Sequence, residues 1–317
     1  MSSSYLSIWY LSYILFFLEE KYGQNFAIQM GIPTGSDNFV PKKRKAVRIL
    51  LTAYYLVENV FNGNLKKFLS TPIDELKKLT KIVEYSDEKK QEYSLLIFPE
   101  AYAALKSLTA QKKIEPGMSL MVDIGGGTTD ITFFTVENES PKIYDYSSIP
   151  YGLNYIIETA NPYTIDNYDT DVDLSKIDTD ALSSAVSSYY QNLLKNCNGL
   201  ISQLSHSFER TGYPTYKLKD ALKNRILIYS GGGSTYQILR KSVGGFTDIK
   251  QINPKVWQGM NIKDVSRFTK LCPIVSTSLG LAISEIDDNV QLSTTDEIFK
   301  HLEGTYYNKE KPKPKWL

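Results

Sequence analysis

The chain has 317 residues, 42% of them hydrophobic and 22% charged, with a formal net charge of +1. That length exceeds most single cores and suits two lobes. A charge near zero excludes the broad basic footprint of a nucleic-acid or anionic-membrane binder. Its two cysteines, Cys197 and Cys272, stand far apart, make no metal or redox motif, and read as reduced thiols of a cytoplasmic protein.

The opening run MSSSYLSIWYLSYILFFLEEKYG reads as a buried helix. It is broken by Ser7 and Ser12, lacks the basic start of a signal peptide, and falls short of the about 20 apolar residues of a membrane span. Residues 26–32 read as a short buried strand closed by a Pro-Thr-Gly-Ser turn. VPKKRKAVRILLTAYYLVENVF has helical spacing, with Val47, Leu50, Leu51, Tyr54 and Val57 on one face and residues 42–45 as a solvated first turn. STPIDELKKLTKIV predicts another helix, with Thr71 and Asp74 as a capping box, Pro72 at the first helical position, and Ile73, Leu76, Leu79 and Val83 as its stripe. SLLIF reads as a second strand, followed by a small-residue helix from Pro99, and residues 115–117 as a hinge.

SLMVDI and ITFFTV read as strands joined by a glycine turn. An Asp-rich loop over 160–180 and a mostly helical stretch to Lys223 follow. RILIYS is a further strand, leading through GGGS into a helix from Ser234. CPIVSTSLGLAISEI predicts a buried helix starting after Pro273, and NKEKPKPKWL a solvated tail.

The turn in VDIGGGTTDITFFTV lacks the Lys and the following helix of a P-loop. A Gly-rich hairpin instead lets successive backbone N–H groups face an anion. Asp123, ending a buried strand, needs an offsetting cation, which magnesium with retained waters would supply. Thr128 and Thr129 offer hydroxyls. In LIYSGGGSTYQIL the glycines permit close approach of a flat ligand. Two other features carry no site. Residues 169–180 partly match a calcium loop, but Leu174 stands where Gly belongs and the run ends in Asp. His206 and His301 have no partners at ligand spacing.

The pair DIGGGTTD and, about a hundred residues on, SGGGST resembles the second phosphate loop and the adenosine loop of the actin and DnaK-type chaperone ATPase superfamily. FPEAYAALKSL resembles its first connecting helix, IPYGLNYI the entry to the upper second lobe, PIVSTSLGLA its closing helix, and AIQMGIPTGS a strand of its first lobe. The resemblance implies an α/β, actin-like (ribonuclease H-like) ATPase fold of two lobes, here 1–116 and 117–317. Within the second, 117–160 and 224–290 would form the core sheet, 161–223 an upper helical subdomain, and 291–317 a C-terminal helix and tail. It implies ATP or ADP with Mg2+. Asp123 would hold the metal through water. Gly125, Gly126, Gly127, Thr128 and Thr129 would cradle phosphates, and Gly231, Gly232, Gly233 and Ser234 would bound the adenosine. Asp130 and Glu100 would act at the metal or the attacking water, Tyr236 would stack on adenine, and Glu209 and Arg210 would reach ribose and adenine.

Three departures qualify this. The family's first phosphate loop and the Lys after it have no counterpart before residue 26, so the first lobe reads as truncated and the opening helix as one missing its sheet. Glu100 follows Pro99, where the DnaK-type pattern places Glu before Pro; Tyr236 stands where those chaperones carry Arg. The function implied is an ATP-binding, chaperone-like or conformational switch. The alternatives are a filament ATPase of division or plasmid segregation, or a remnant that binds nucleotide without hydrolysis. Little or no hydrolysis is expected from this chain alone. Its partners would be nucleotide and a protein client or further copies in a filament, with no nucleic acid or membrane.

Overall fold

The computed structural model describes residues 3–23, 27–33, 39–81, 87–110, 114, 118–137, 140–161, 177–210, 212, 226–243, 246, 248–252, 265–283 and 290. The hinge at 115–117, most of the 169–180 loop, Val83 and the tail lie outside them. The chain forms two compact units, the first chiefly Met1–Ile32 and Asp37–Phe98, the second chiefly Pro99–Ser284.

In the first unit, α1 (Ser3–Tyr22), β1 (Ile28–Ile32), α2 (Phe39–Tyr55), α3 (Leu65–Ser70), α4 (Ile73–Lys81), α5 (Asp87–Glu92) and β2 (Leu95–Pro99) follow in order. β1 and β2 make a two-stranded sheet. The predicted face of α2 is buried as expected: Val47, Leu50, Leu51, Tyr54 and Val57 are each at most 3% exposed. The helix widens at its end into a π turn, Leu56–Val60. Two expectations are corrected. Thr71 does not cap α4; its hydroxyl donates back to the Lys67 carbonyl at 2.7 Å, closing α3. The helix α1 is not buried all round. Ile8, Ser12, Leu15 and Phe16 pack inward while Leu6, Tyr10, Tyr13 and Phe17 face outward. No described helix is long and apolar enough to cross a membrane.

The second unit is built on a five-stranded sheet. β3 (Ser119–Ile124) runs antiparallel to β4 (Thr129–Glu137), and β4 antiparallel to β5 (Ser140–Ile149); β3 is also parallel to β6 (Ile226–Ser230), and β6 to β7 (Asp248–Gln251). In space the order is β5-β4-β3-β6-β7. Numbered from β3, this is a 3-2-1-4-5 mixed sheet with only the second strand reversed. It is the sheet of the α/β, actin-like (ribonuclease H-like) fold. Strand alternation splits its side chains between two cores. Leu120, Val122, Ile124, Ile131 and Phe133 face one, which includes α7 (Leu153–Ala160) and α8 (Thr179–Arg210). Met121, Phe134, Ile143 and Ile228 face the other, with α6 (Glu100–Thr109). Asp178 caps α8, its carboxylate accepting from the amides of Asp180 and Ala181 at 3.1 and 2.9 Å. Cys197 and Cys272 are both buried and are not joined in a disulfide.

The closing helix, α9 (Val265–Leu281), runs through Pro273 instead of starting after it. Its small residues do what the sequence suggests: a Cβ on Gly280 would stand 1.6 Å from the Ala103 carbonyl oxygen of α6. The second glycine turn does not open an α-helix at Ser234. Two short 3-10 turns, Gly232–Thr235 and Gln237–Leu239, follow it, because Tyr236 between them is extended (φ −88°, ψ 116°) and ends the first turn.

Candidate functional site

The site forms where the first glycine turn (the hairpin between β3 and β4), the second glycine turn and the start of α6 converge in the second unit. The hairpin's shape follows from its internal bonds. The Gly125 amide donates to the Thr128 carbonyl at 2.9 Å, closing the turn. The carbonyls of Gly125 and Gly126 accept the amides of Leu153 and Asn154, the first residues of α7, at 2.9 and 2.8 Å. The helix end thus holds the hairpin by its oxygens. A Cβ on Gly152 would lie 2.5 Å from the Gly126 carbonyl, so only glycine permits this approach. No described residue accepts from the amides of Gly126, Gly127 or Thr128, and all three residues are exposed. Three consecutive N–H groups are therefore open to an anion.

The carboxylates lie beside them. Asp123 and Asp130 are direct cross-strand partners on β3 and β4, and Asp123 is also in register with Ser230 on β6. Like charges placed opposite one another destabilise a sheet. Burial, then Asp130 and then Glu100 push the Asp123 carboxyl up to about 7, against a hydrogen bond from Ser230 that favours the charged form. Burial and the Asp130 charge also raise Glu100, the first residue of α6. Three carboxylates from α6, β3 and β4 thus crowd one place that favours either protons or a cation. Among the described residues no three His, Cys, Asp or Glu side chains are placed to ligate one metal ion.

The second glycine turn completes the site from the other side. Gly231 has φ +80°, and a Cβ there would meet the Asp123 Oδ1 at 2.3 Å; one on Gly233 would meet Ile124 Cγ2 at 2.3 Å. The Gly231 amide donates to the Pro273 carbonyl of α9 at 2.9 Å. The two motifs, separate in sequence, are thus in van der Waals contact through Asp123 and Ile124.

Several predicted site residues are turned elsewhere. Thr129 is wholly buried; its hydroxyl lies 2.7 Å from the Tyr151 carbonyl, to which it donates, and 2.9 Å from the Tyr189 hydroxyl of α8. β-strand alternation puts it on the face opposite Asp130, so it supports the hairpin from below. The Ser234 hydroxyl donates to the Gly231 carbonyl at 2.8 Å, inside its own turn. Tyr236 is half-buried against the α7–α8 core. Glu209 and Arg210 bond to His206 and Ser207 of their own helix, at 3.3 and 3.5 Å. Gly232 lies between the two tight glycines with open space where a Cβ would be. Sequence reasoning missed Ser230, Asn154 and Tyr189. The first was legible as the residue leading into a glycine turn; the other two depend on tertiary contacts.

No protein-family model matches the chain, and no curated protein matches it significantly. Among solved structures it is similar to Ta0583, an archaeal actin homolog, at 15% identity and a TM-score of 0.37, over 59% of this chain and 53% of that one. It is also similar to the ParM of a 15-stranded filament from Clostridium botulinum, at 13% identity and 0.43, over 84% and 71%. A third is the ethanolamine utilization protein EutJ from Carboxydothermus hydrogenoformans, at 14% and 0.36, over 89% and 76%. The chain spans about half the length of the archaeal homolog. The fold assignment rests on the order and sense of the strands in the second unit.

Proposed function

We propose that the second unit binds a magnesium nucleotide, ATP or ADP, and that the chain works as an actin-like nucleotide-dependent switch. The observation that carries this is the juxtaposition of three open amides, on Gly126, Gly127 and Thr128, with the crowded carboxylates of Asp123, Asp130 and Glu100. Amides alone would suit any anion, and carboxylates alone any cation. Together they suit an anion that arrives with a divalent cation, as a nucleotide phosphate does.

In this reading the amides take phosphate oxygens, Asp123 holds the cation's water shell, and Gly231 to Gly233 flank the nucleoside. Bound there, Mg2+ would neutralise phosphate charge. Glu100 and Asp130 are the groups able to accept a proton from a water beside the phosphates. The raised Glu100 carboxyl gives it basicity closer to neutral pH than an ordinary carboxylate has. The switch would act on a protein client, as in a chaperone-like use, or on further copies of the chain, as in a filament; both uses start from this same site. The test is titration of the full chain with a fluorescent ADP, with and without Mg2+, alongside phosphate release from ATP. Saturable Mg2+-dependent binding supports the proposal, and slow or undetectable release is expected with it. Absence of binding at millimolar nucleotide overturns it.

A further inference from the structure

Two serine hydroxyls meet behind Asp123. Ser230 ends β6 and Ser276 lies within α9; both are at most 1% exposed, and their Oγ atoms are 3.0 Å apart. The Pro273 carbonyl of α9 lies 3.4 Å from the Ser230 Oγ and 3.3 Å from the Ser276 Oγ. A helical serine ordinarily donates back to such a carbonyl. Here that oxygen has closer donors: the Gly231 amide donates to it at 2.9 Å, and the helix offers it the amide of the following turn. Its two lone pairs are then occupied, and each hydroxyl has one proton to give. Ser230 is in register with Asp123 across β6 and β3, and gives its proton to the Asp123 carboxylate. The Ser230 oxygen is left to accept from Ser276. Donation thus runs from Ser276 to Ser230 to Asp123, and each link polarises the next.

We infer that Ser276 is a positioning residue for the cation site: acting through Ser230, it fixes how the Asp123 carboxylate faces and so the hold of the site on Mg2+. The inference rests on the magnesium-nucleotide reading above. Two contacts support it. A Cβ on Gly231 would come within 2.3 Å of the Asp123 Oδ1, so the backbone of the second glycine turn closes one side of the carboxylate. The Gly231 amide ties that turn in its own right to Pro273, three residues before Ser276. One turn of α9 therefore holds the glycine turn by a carbonyl and the carboxylate by a hydroxyl. Helix stability does not call for a serine there, since alanine is the stronger helix former and a buried hydroxyl needs a partner. Losing a group that holds a metal ligand from behind typically costs about 10–100-fold in metal affinity.

The test is calorimetric titration of ADP into the full chain, with Mg2+ and with EDTA. Ser276→Ala should weaken Mg-ADP binding by about tenfold, the low end of that range because Asp123 reaches the cation through water. Its binding in EDTA should match the wild type. Ser276→Thr keeps the hydroxyl and should restore the Mg-ADP affinity. Ser230→Ala removes the link itself, so Ser276→Ala should add little to it in the double variant. Ser107→Ala removes another buried helix hydroxyl, bonded to the Ala104 carbonyl of α6 at 2.6 Å, and should leave both affinities alone. Circular dichroism checks that each variant is folded. Unchanged Mg-ADP binding in Ser276→Ala, a loss that is equal in EDTA, or losses that add in the double variant would overturn the inference and leave the nucleotide reading in place. A wild type that binds neither form overturns that reading and the inference with it.

Discussion

The hydroxyl of Tyr189, in the first half of the 32-residue helix α8, lies 2.9 Å from the hydroxyl of Thr129, the first residue of β4 after the glycine hairpin. Both side chains are at most 1% exposed, so the bond forms away from water. Thr129 also holds the Tyr151 carbonyl, one residue before the glycine that caps α7. One hydroxyl therefore ties the root of the hairpin to both helices that cover this face of the sheet.

Thr129→Val is expected to leave the Tyr189 hydroxyl and the Tyr151 carbonyl without this partner. Unsatisfied buried groups cost about 1–3 kcal/mol each, so a loss of about 2–6 kcal/mol is expected for the two. Tyr189→Phe removes one bond but leaves Thr129 its carbonyl partner, and about 1 kcal/mol is expected. Urea unfolding of the two variants measures the difference. Equal effects would show that the hydroxyl pair does not brace the hairpin.

Gly280→Ala tests the crossing of α6 and α9. The added methyl would sit 1.6 Å from the Ala103 carbonyl oxygen, a backbone atom that cannot swing aside. The helices must separate, at about 3 kcal/mol or more by the usual penalty for overpacking. Gly127→Ala is the control, because nothing lies within 4 Å of its Cβ position. A melting temperature lowered only in the first variant is expected.

The central strands were legible because β3, β4 and β6 are apolar runs punctuated by glycine. The strand β5 escaped because its buried positions, among them Ile143, Tyr146 and Ile149, are spaced by Lys, Asp and Ser, and a register shift between Phe133 and Phe134 interrupts the pairing with β4. β7 is only four residues long. The proline rule misplaced the start of α9, since Pro273 sits inside it. At the site, the glycine turns and Asp123 could be named from sequence. The placing of Glu100 beside Asp130 came from the family resemblance and not from the spacing of the residues, since it depends on α6 returning over the sheet. The inward turn of Thr129 could not be named, since strand register alone decides it.

Stability should depend on pH through Asp123. Its carboxyl is raised to about 7 in the fold, against about 3.9 for an unfolded chain. The folded state therefore binds the extra proton. This contribution is fully present below about pH 4 and is lost as pH rises through about 7. Glu100, also raised, acts in the same direction. Asp123→Asn should flatten the profile and gain about 2 kcal/mol above pH 7. Guanidinium unfolding at pH 5 and pH 8 measures it; a wild type more stable at pH 8 and a variant with no gain there would refute the crowding of charge.

The most direct measurement of the central claim is calorimetric titration of ADP into the wild type and Asp123→Asn, once with Mg2+ and once with EDTA. If Asp123 holds the cation's water shell, the variant should lose about tenfold or more in affinity for Mg-ADP. Its affinity for metal-free ADP should be unchanged or higher, because a negative charge beside the phosphates is gone. Equal losses with and without Mg2+, or a wild type that binds neither form, would contradict the account.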